Sequence, residues 1–218
     1  LSENANVSTA SIVRLMKKIG YEGYTSFKYS LQEKLNYPEE HTELADIDLN
    51  IKQAIIKNEH EVIKTIQMLS IGNIEDAIQK IHDSEKIYIF ARGFSEMIAN
   101  EMAMKFQLLE RNCEMHNDPN IIRVKSKKLK EKDIAIFISL SGETEELVEA
   151  CKNLRINGIS TITLTTKMDS SLATLSELVF LGYKDSHSYF PEYEVRSRLP
   201  LQVISRILLD AYVIRMTK

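Results

Sequence analysis

Ile134-Ala135-Ile136-Phe137-Ile138-Ser139-Leu140-Ser141-Gly142-Glu143-Thr144 runs from an apolar, β-forming segment into closely spaced hydroxyls and a glycine, and a helical pattern follows at once. A buried strand that ends this way and opens a helix is how α/β proteins build an anion site. The first backbone N–H groups of the helix lack intrahelical partners, and the helix dipole favours negative charge there. Ser139, Ser141 and Thr144 add side-chain donors, and Gly142 lets the backbone come close to a phosphate. No lysine follows the glycine, so the loop is not a nucleotide P-loop of the Gly-Lys-Ser/Thr kind. An ordinary capped helix would use the same residue types. Three hydroxyls with a glycine at one strand end favour the phosphate reading.

Outward from this stretch, strand and helix patterns alternate. Strands are expected at Lys86–Phe90, Cys113–His116, Asp133–Ser139, Ser160–Thr165 and Leu178–Leu181. Helices are expected at Glu96–Glu110, Ile121–Leu129, Thr144–Asn157 and Arg196–Met216, with a helical turn at Ser170–Ser176. Two further helices, Asp48–Leu69 and Ile74–Ile81, precede the first strand. Short apolar β-rich runs between helices imply a mainly parallel five-stranded sheet covered on both faces, a three-layer α/β (αβα) domain. In such sheets ligands sit at the carboxyl ends of the strands. Two hydroxyl-bearing turns, at Ser95 and at Ser139–Thr144, fall at that end.

The 218 residues, 44% hydrophobic, suffice for one good core and a smaller unit. A net charge of −3 argues against a general polyanion binder. Cys113 and Cys151 fit no metal or redox spacing, which suits a reducing cytoplasm, and no metal or cofactor is expected. No apolar run approaches membrane-spanning length, so no membrane partner is expected. The chain opens on Leu1 and is expected to enter partway through a helical unit of a longer protein.

Residues 1–36 read as that unit. Ser8 is a plausible N-cap, Ile12, Leu15, Met16 and Ile19 share one helix face, and Gly20 stops the helix. Thr9, Ser11, Arg14, Lys17 and Lys18 point away from that face. Residues 1–35 hold five basic side chains (Arg14, Lys17, Lys18, Lys28, Lys34) against three acidic (Glu3, Glu22, Glu33), so a basic segment joins an acidic body. Nucleic acid or a plain solvated face would each explain the excess. Residues 37–47, with Tyr37-Pro38-Glu39-Glu40-His41, read as a linker, and residues 48–218 form the α/β domain with its leading helices.

Phe90-Ala91-Arg92-Gly93-Phe94-Ser95 and Ser139–Thr144, about 45 residues apart, resemble the two loops of a SIS (sugar isomerase) domain, a phosphosugar-binding fold. Ala91 stands where the first loop often carries a glycine. Val7–Arg14, together with Lys17–Tyr24, Phe27 and Lys28, is similar to the helix-turn-helix of RpiR-type transcriptional regulators. That family joins the two modules in this order. The resemblance implies that Ser139, Ser141 and Thr144 hold a sugar phosphate with the Gly142 and Glu143 backbone. Ser95 and the Arg92–Gly93 backbone would touch the sugar or the phosphate edge, unless Arg92 serves in a surface salt bridge. Ser8–Lys18 becomes the recognition helix. Thr9, Ser11 and Arg14 would meet base edges, and Lys17, Lys18 and Lys28 DNA phosphates, with Ser8 at the helix start. The unit would lack its leading helix or helices.

Two functions remain open on this fold. One is a regulator in which a sugar-phosphate effector modulates binding to operator DNA, acting as a homodimer or homotetramer. The other is an aldose–ketose sugar-phosphate isomerase, which needs a general base beside the ligand. Glu194, expected near the ligand, and His187 are the candidate bases. The outward residues of the first helix favour the regulator. The basic run Arg123–Lys130 is either a solvated helix face or an auxiliary DNA contact.

Overall fold

The structure, a computed structural model, describes residues 9–18, 23–25, 27, 49–186 and 197–216. The chain divides into two compact units, Leu1–Lys52 and Gln53–Lys218. In the first unit, α1 (Thr9–Lys18) buries Ile12 and Met16, while Ser11, Arg14, Lys17 and Lys18 are exposed. The expected apolar face is narrower than its spacing suggests, since Leu15 is 53% exposed. Leu15 lies about 100° around the helix from Met16, so a seam that centres on the 12–16 row leaves it at the margin. Ser8, Ile19, Gly20, Lys28 and the linker 37–47 lie outside the described residues.

The second unit is reached along α2 (Leu49–Met68), followed by α3 (Ile71–Asp83). Then come β1 (Lys86–Ala91), a single 3-10 turn at Gly93–Ser95, α4 (Glu96–Leu108), β2 (Cys113–His116), α5 (Pro119–Ser126) and β3 (Asp133–Ile138). The chain continues through α6 (Glu145–Ile156), β4 (Ser160–Thr165), the short α7 (Ser171–Leu175), β5 (Leu178–Leu181) and α8 (Leu199–Met216). The strands pair in the order β2-β1-β3-β4-β5, all parallel.

Period-two alternation along the strands separates two cores. Ile87, Ile89, Ile134, Ile136, Ile138, Ile162 and Leu164 meet α3, α4 and α8 through Ile81, Met102, Phe106 and Leu208 on one face. Tyr88, Phe90, Ala135 and Phe137 meet α5, α6 and α7 through Ile122, Leu147, Leu154 and Leu172 on the other. Every residue of β3 is buried, as a central parallel strand requires. A fully buried phenylalanine such as Phe90 or Phe137 contributes roughly 1.5–3 kcal/mol of transfer free energy.

Among the helix boundaries that differ from expectation, three have a clear local reason. α3 begins at Ile71 because Ser70 caps it, accepting from the Asn73 N–H. α5 begins at Pro119 because Asp118 accepts from the Asn120 and Ile121 N–H groups and proline suits a first turn. α4 stops at Leu108 because Glu110 turns to φ 58°, and the Arg111 N–H closes back onto the Phe106 carbonyl at 2.9 Å.

Candidate functional site

The chain passes from β1 outward to β2 and then back across to β3, so the strand order reverses between β1 and β3. At such a reversal the loops leaving the two carboxyl ends diverge and open a crevice. Here a cavity of about 360 Å³ opens, lined by Arg92 and Ser95 after β1 and by Ser139, Leu140, Ser141 and Thr144 after β3. Thr166 and Lys167 after β4, Lys184 beyond β5 and Arg198 before α8 complete the wall.

The β3 loop is organised around its own hydroxyls. The Gly142 N–H donates to Ser139 Oγ at 3.1 Å, the Glu143 N–H to Ser141 Oγ at 3.3 Å, and Ser139 Oγ lies 3.4 Å from Thr144 Oγ1. Thr144 is the N-cap residue of α6, yet its hydroxyl caps no backbone N–H. Thr144 lines the cavity instead, at the end of the helix where an anion is favoured. Gly142 is required twice over. Its φ is +67°, and a Cβ there would come within 2.2 Å of Ser170 Oγ. The Leu172 N–H donates to the Gly142 carbonyl, while Glu143 accepts from the Ser171 N–H at 3.0 Å and the Ser171 hydroxyl at 2.7 Å. These Ser171 bonds hold the Glu143 carboxyl below the usual carboxylate range. Glu143 therefore spends its side chain on the start of α7, and the β3 loop is braced against that short helix.

The β1 loop presents Ser95, only 1% exposed, as part of the cavity wall. Gly93 does not line the cavity; its N–H donates to Glu96 Oε1 at 2.8 Å and its φ is +57°. Arg92 combines both expected roles. It lines the cavity, its Nε sits 2.5 Å from Glu146 Oε1, and its guanidinium also donates to the Asn117 carbonyl.

The structure thus brings Arg92, Ser95, Ser139, Ser141 and Thr144 together, and sets Gly93, Gly142 and Glu143 as framework behind them. Glu194 and His187 lie outside the described residues. Thr166, Lys167, Lys184 and Arg198 were not expected from the sequence. The positions of Thr166, Lys167 and Lys184 follow from the strand ends, since each strand of a parallel sheet points its following residues to the same side. Lys167, Lys184 and Arg198, with Arg92 already paired to Glu146, give the wall four basic side chains, and no carboxylate is among its described lining residues. Leu140 offers its carbonyl to the N–H and hydroxyl of Thr166 at 3.2 and 2.9 Å, which turns that acceptor away from an anion. Hydroxyls, a helix-end dipole and cations gathered in one cavity favour an anion over a cation there.

In the first unit, Ser11, Arg14, Lys17 and Lys18 are exposed along α1, which Thr9 opens, while Ser8 and Lys28 lie outside the described residues. Of the basic run, Arg123 pairs with Glu149 at 2.8 Å and Lys125 with Glu114 at 2.8 Å, and Leu129 is buried. Two of its cations are thus already neutralised. No helix among the described residues is long and apolar enough to cross a membrane.

The sequence matches the SIS domain family over residues 80–208 and the helix-turn-helix domain of the rpiR family over residues 1–38. It is 26% identical over 220 residues to the HTH-type transcriptional regulator GlvR of Bacillus subtilis, covering 98% of this chain and 80% of that protein. To the HTH-type transcriptional regulator RpiR of Escherichia coli it is 23% identical over 221 residues, covering 98% and 72%. Vibrio vulnificus NanR, solved in complex with ManNAc-6P, superposes with a TM-score of 0.70 at 18% identity, covering 99% of this chain and 78% of that one. That last likeness speaks for the fold.

Proposed function

The chain belongs to the rpiR family of helix-turn-helix transcriptional regulators that carry a SIS domain, and on that premise we propose that its cavity receives a phosphorylated sugar whose binding modulates attachment to operator DNA. The observation that carries this reading is that the hydroxyl loop at the start of α6 lines one cavity together with Arg92, Lys167, Lys184 and Arg198. Ser139, Ser141 and Thr144 would hold the phosphate. Ser95, Thr166 and the cations would meet its remaining oxygens and the sugar. The ManNAc-6P complex of the Vibrio vulnificus protein supports a ligand of this class.

On the DNA side, Thr9, Ser11 and Arg14 would read base edges, and Lys17, Lys18 and Lys28 the phosphates, with a homodimer or homotetramer presenting paired helices to two half-sites. We assign residues 1–36 to DNA binding, 37–47 to the linker and 48–218 to the effector domain with its leading helices. The names of the curated relatives support a sensor over an isomerase.

Thermal-shift titration with a panel of sugar phosphates tests the effector. A ligand that binds only the folded chain must raise its stability. Ser141→Ala and Thr144→Ala should each weaken the cognate ligand roughly ten- to a hundredfold, the worth of one hydrogen bond to a charged group. Wild-type affinity in both variants would remove the assignment.

A further inference from the structure

The two cavity cations that lie beyond the β1, β3 and β4 loops, Lys184 and Arg198, are held by bonds that lead to a single helix. Glu61 and Thr65 stand four residues apart on one face of α2, and both are fully buried. The Tyr183 N–H donates to Thr65 Oγ1 at 3.0 Å and the Asp185 N–H to Glu61 Oε1 at 3.1 Å, so the backbone is pinned on either side of Lys184. The Ser197 hydroxyl donates to Glu61 Oε2 at 2.5 Å and accepts from the Leu199 N–H at 3.2 Å, which pins the backbone on either side of Arg198. Lys64 Nζ lies 4.6 Å above the Tyr183 ring, adding a third tie from the same helix. The one cation paired with Glu61 among the described residues, Lys57, is 3.8 Å away.

Burying a carboxylate is costly, and an apolar side chain would pack a helix face at lower cost. Glu61 uses its two oxygens on two segments more than 120 positions away in sequence, each carrying one cation of the cavity wall. We propose that Glu61 is a positioning residue for the anion cavity, and that through it cavity occupancy acts on α2. This rests on the cavity being an anion site. A bound phosphate draws on Lys184 and Arg198, whose chain neighbours Tyr183, Asp185 and Ser197 are bonded to α2. By thermodynamic reciprocity, a shift of α2 must change the cavity's affinity as much as the ligand shifts α2.

Calorimetric titration of the full chain with inorganic phosphate, followed by amide hydrogen exchange, tests the assignment. Glu61→Ala should weaken phosphate by roughly tenfold or more, as should Lys184→Ala. Combining the two should cost less than the product of the single losses, because Glu61 acts partly through Lys184. Glu61→Gln keeps an acceptor for the Asp185 N–H and should keep most of the affinity. Phosphate should slow exchange at Tyr183, at Asp185 and along α2 in the wild type, and the effect on α2 should vanish in Glu61→Ala. If Glu61→Ala fails to fold, Thr65→Val, which removes only the Tyr183 acceptor, takes its place in the same cycle. Wild-type affinity in the Glu61 or Thr65 variant, fully multiplicative losses with Lys184→Ala, or no response in α2 would each overturn the proposal. Unchanged phosphate binding in Ser141→Ala would instead remove the anion cavity itself, and the proposal with it.

Discussion

Replacing Gly142 with alanine isolates the close approach on which the phosphate loop depends. The new Cβ would lie 2.2 Å from Ser170 Oγ and 2.6 Å from Ser170 Cβ, with Thr165 Oγ1 at 3.2 Å. Ser170 is fully buried and caps α7 by accepting from the Ala173 N–H, so it has no free space to retreat into. The left-handed backbone adds about 1–2 kcal/mol for a residue with a Cβ. Overpacking at a buried site adds roughly 1–3 kcal/mol more. The expected loss is about 2–5 kcal/mol, and at about 2–4 °C per kcal/mol for a unit of this size the melting temperature should fall by roughly 4–20 °C. Gly93→Ala is the control. Its φ is +57°, yet nothing lies within 4 Å of the added Cβ, so only the backbone cost of about 1–2 kcal/mol applies. Urea unfolding of both variants measures the difference. Equal losses would refute the argument that Ser170 fixes the loop, and leave the glycine as a purely conformational requirement.

Three further outcomes are expected. In a chain that binds its operator, Arg14→Ala should relax preference at one base position, whereas Lys17→Ala should weaken all sequences alike and reduce the salt slope; identical effects in footprinting would deny Arg14 a base-reading role. Hydrogen bonds from Lys125, then Lys86 and His116, hold the Glu114 carboxyl down to about 2, so its contribution to stability is present above the ordinary carboxylate pKa near 4.5 and is lost as pH falls toward 2. Urea midpoints between pH 6 and pH 2.5 should show this loss, and Glu114→Gln should flatten the curve; an unchanged slope would contradict it. Incubated in heavy water with a sugar phosphate it binds, the chain should wash no deuterium into the ligand's C1 or C2 positions by NMR, and incorporation that falls with Glu194→Gln or His187→Asn would establish an isomerase.

The strands were legible because β-rich apolar runs such as Ile134–Ile138 can be buried only between two layers. The β3 loop was legible because its donors are adjacent in sequence. Lys167, Lys184 and Arg198 were not, since each is a lone cation in an unremarkable polar segment and only the sheet brings it to the crevice. Counting residues just past the ends of β4 and β5 could have found Lys167 and Lys184, but nothing in the sequence around Arg198 signals its place. Glu143 shows the converse. The resemblance implied a role for its backbone, and nothing in the sequence signalled that its side chain is committed to Ser171, 28 residues later. Glu61 looked like any acid on an amphipathic helix, because its partners arrive from the far end of the chain.

The lengths of the outer strands bear on how the molecule survives at high concentration. The sheet ends in β2 on one side and β5 on the other, each four residues long. An exposed strand edge is a template onto which any extended peptide can add, and such growth seeds fibres. Four residues present too short a row of free N–H and C=O groups to hold a newcomer firmly. Glu114 of β2, paired with Lys86 of β1 and Lys125 of α5, also puts charge on this outer strand, and a recruited strand would have to accommodate it. The architecture that gathers its anion-binding groups at the middle of the sheet thus leaves its margins poor sites for aggregation to begin.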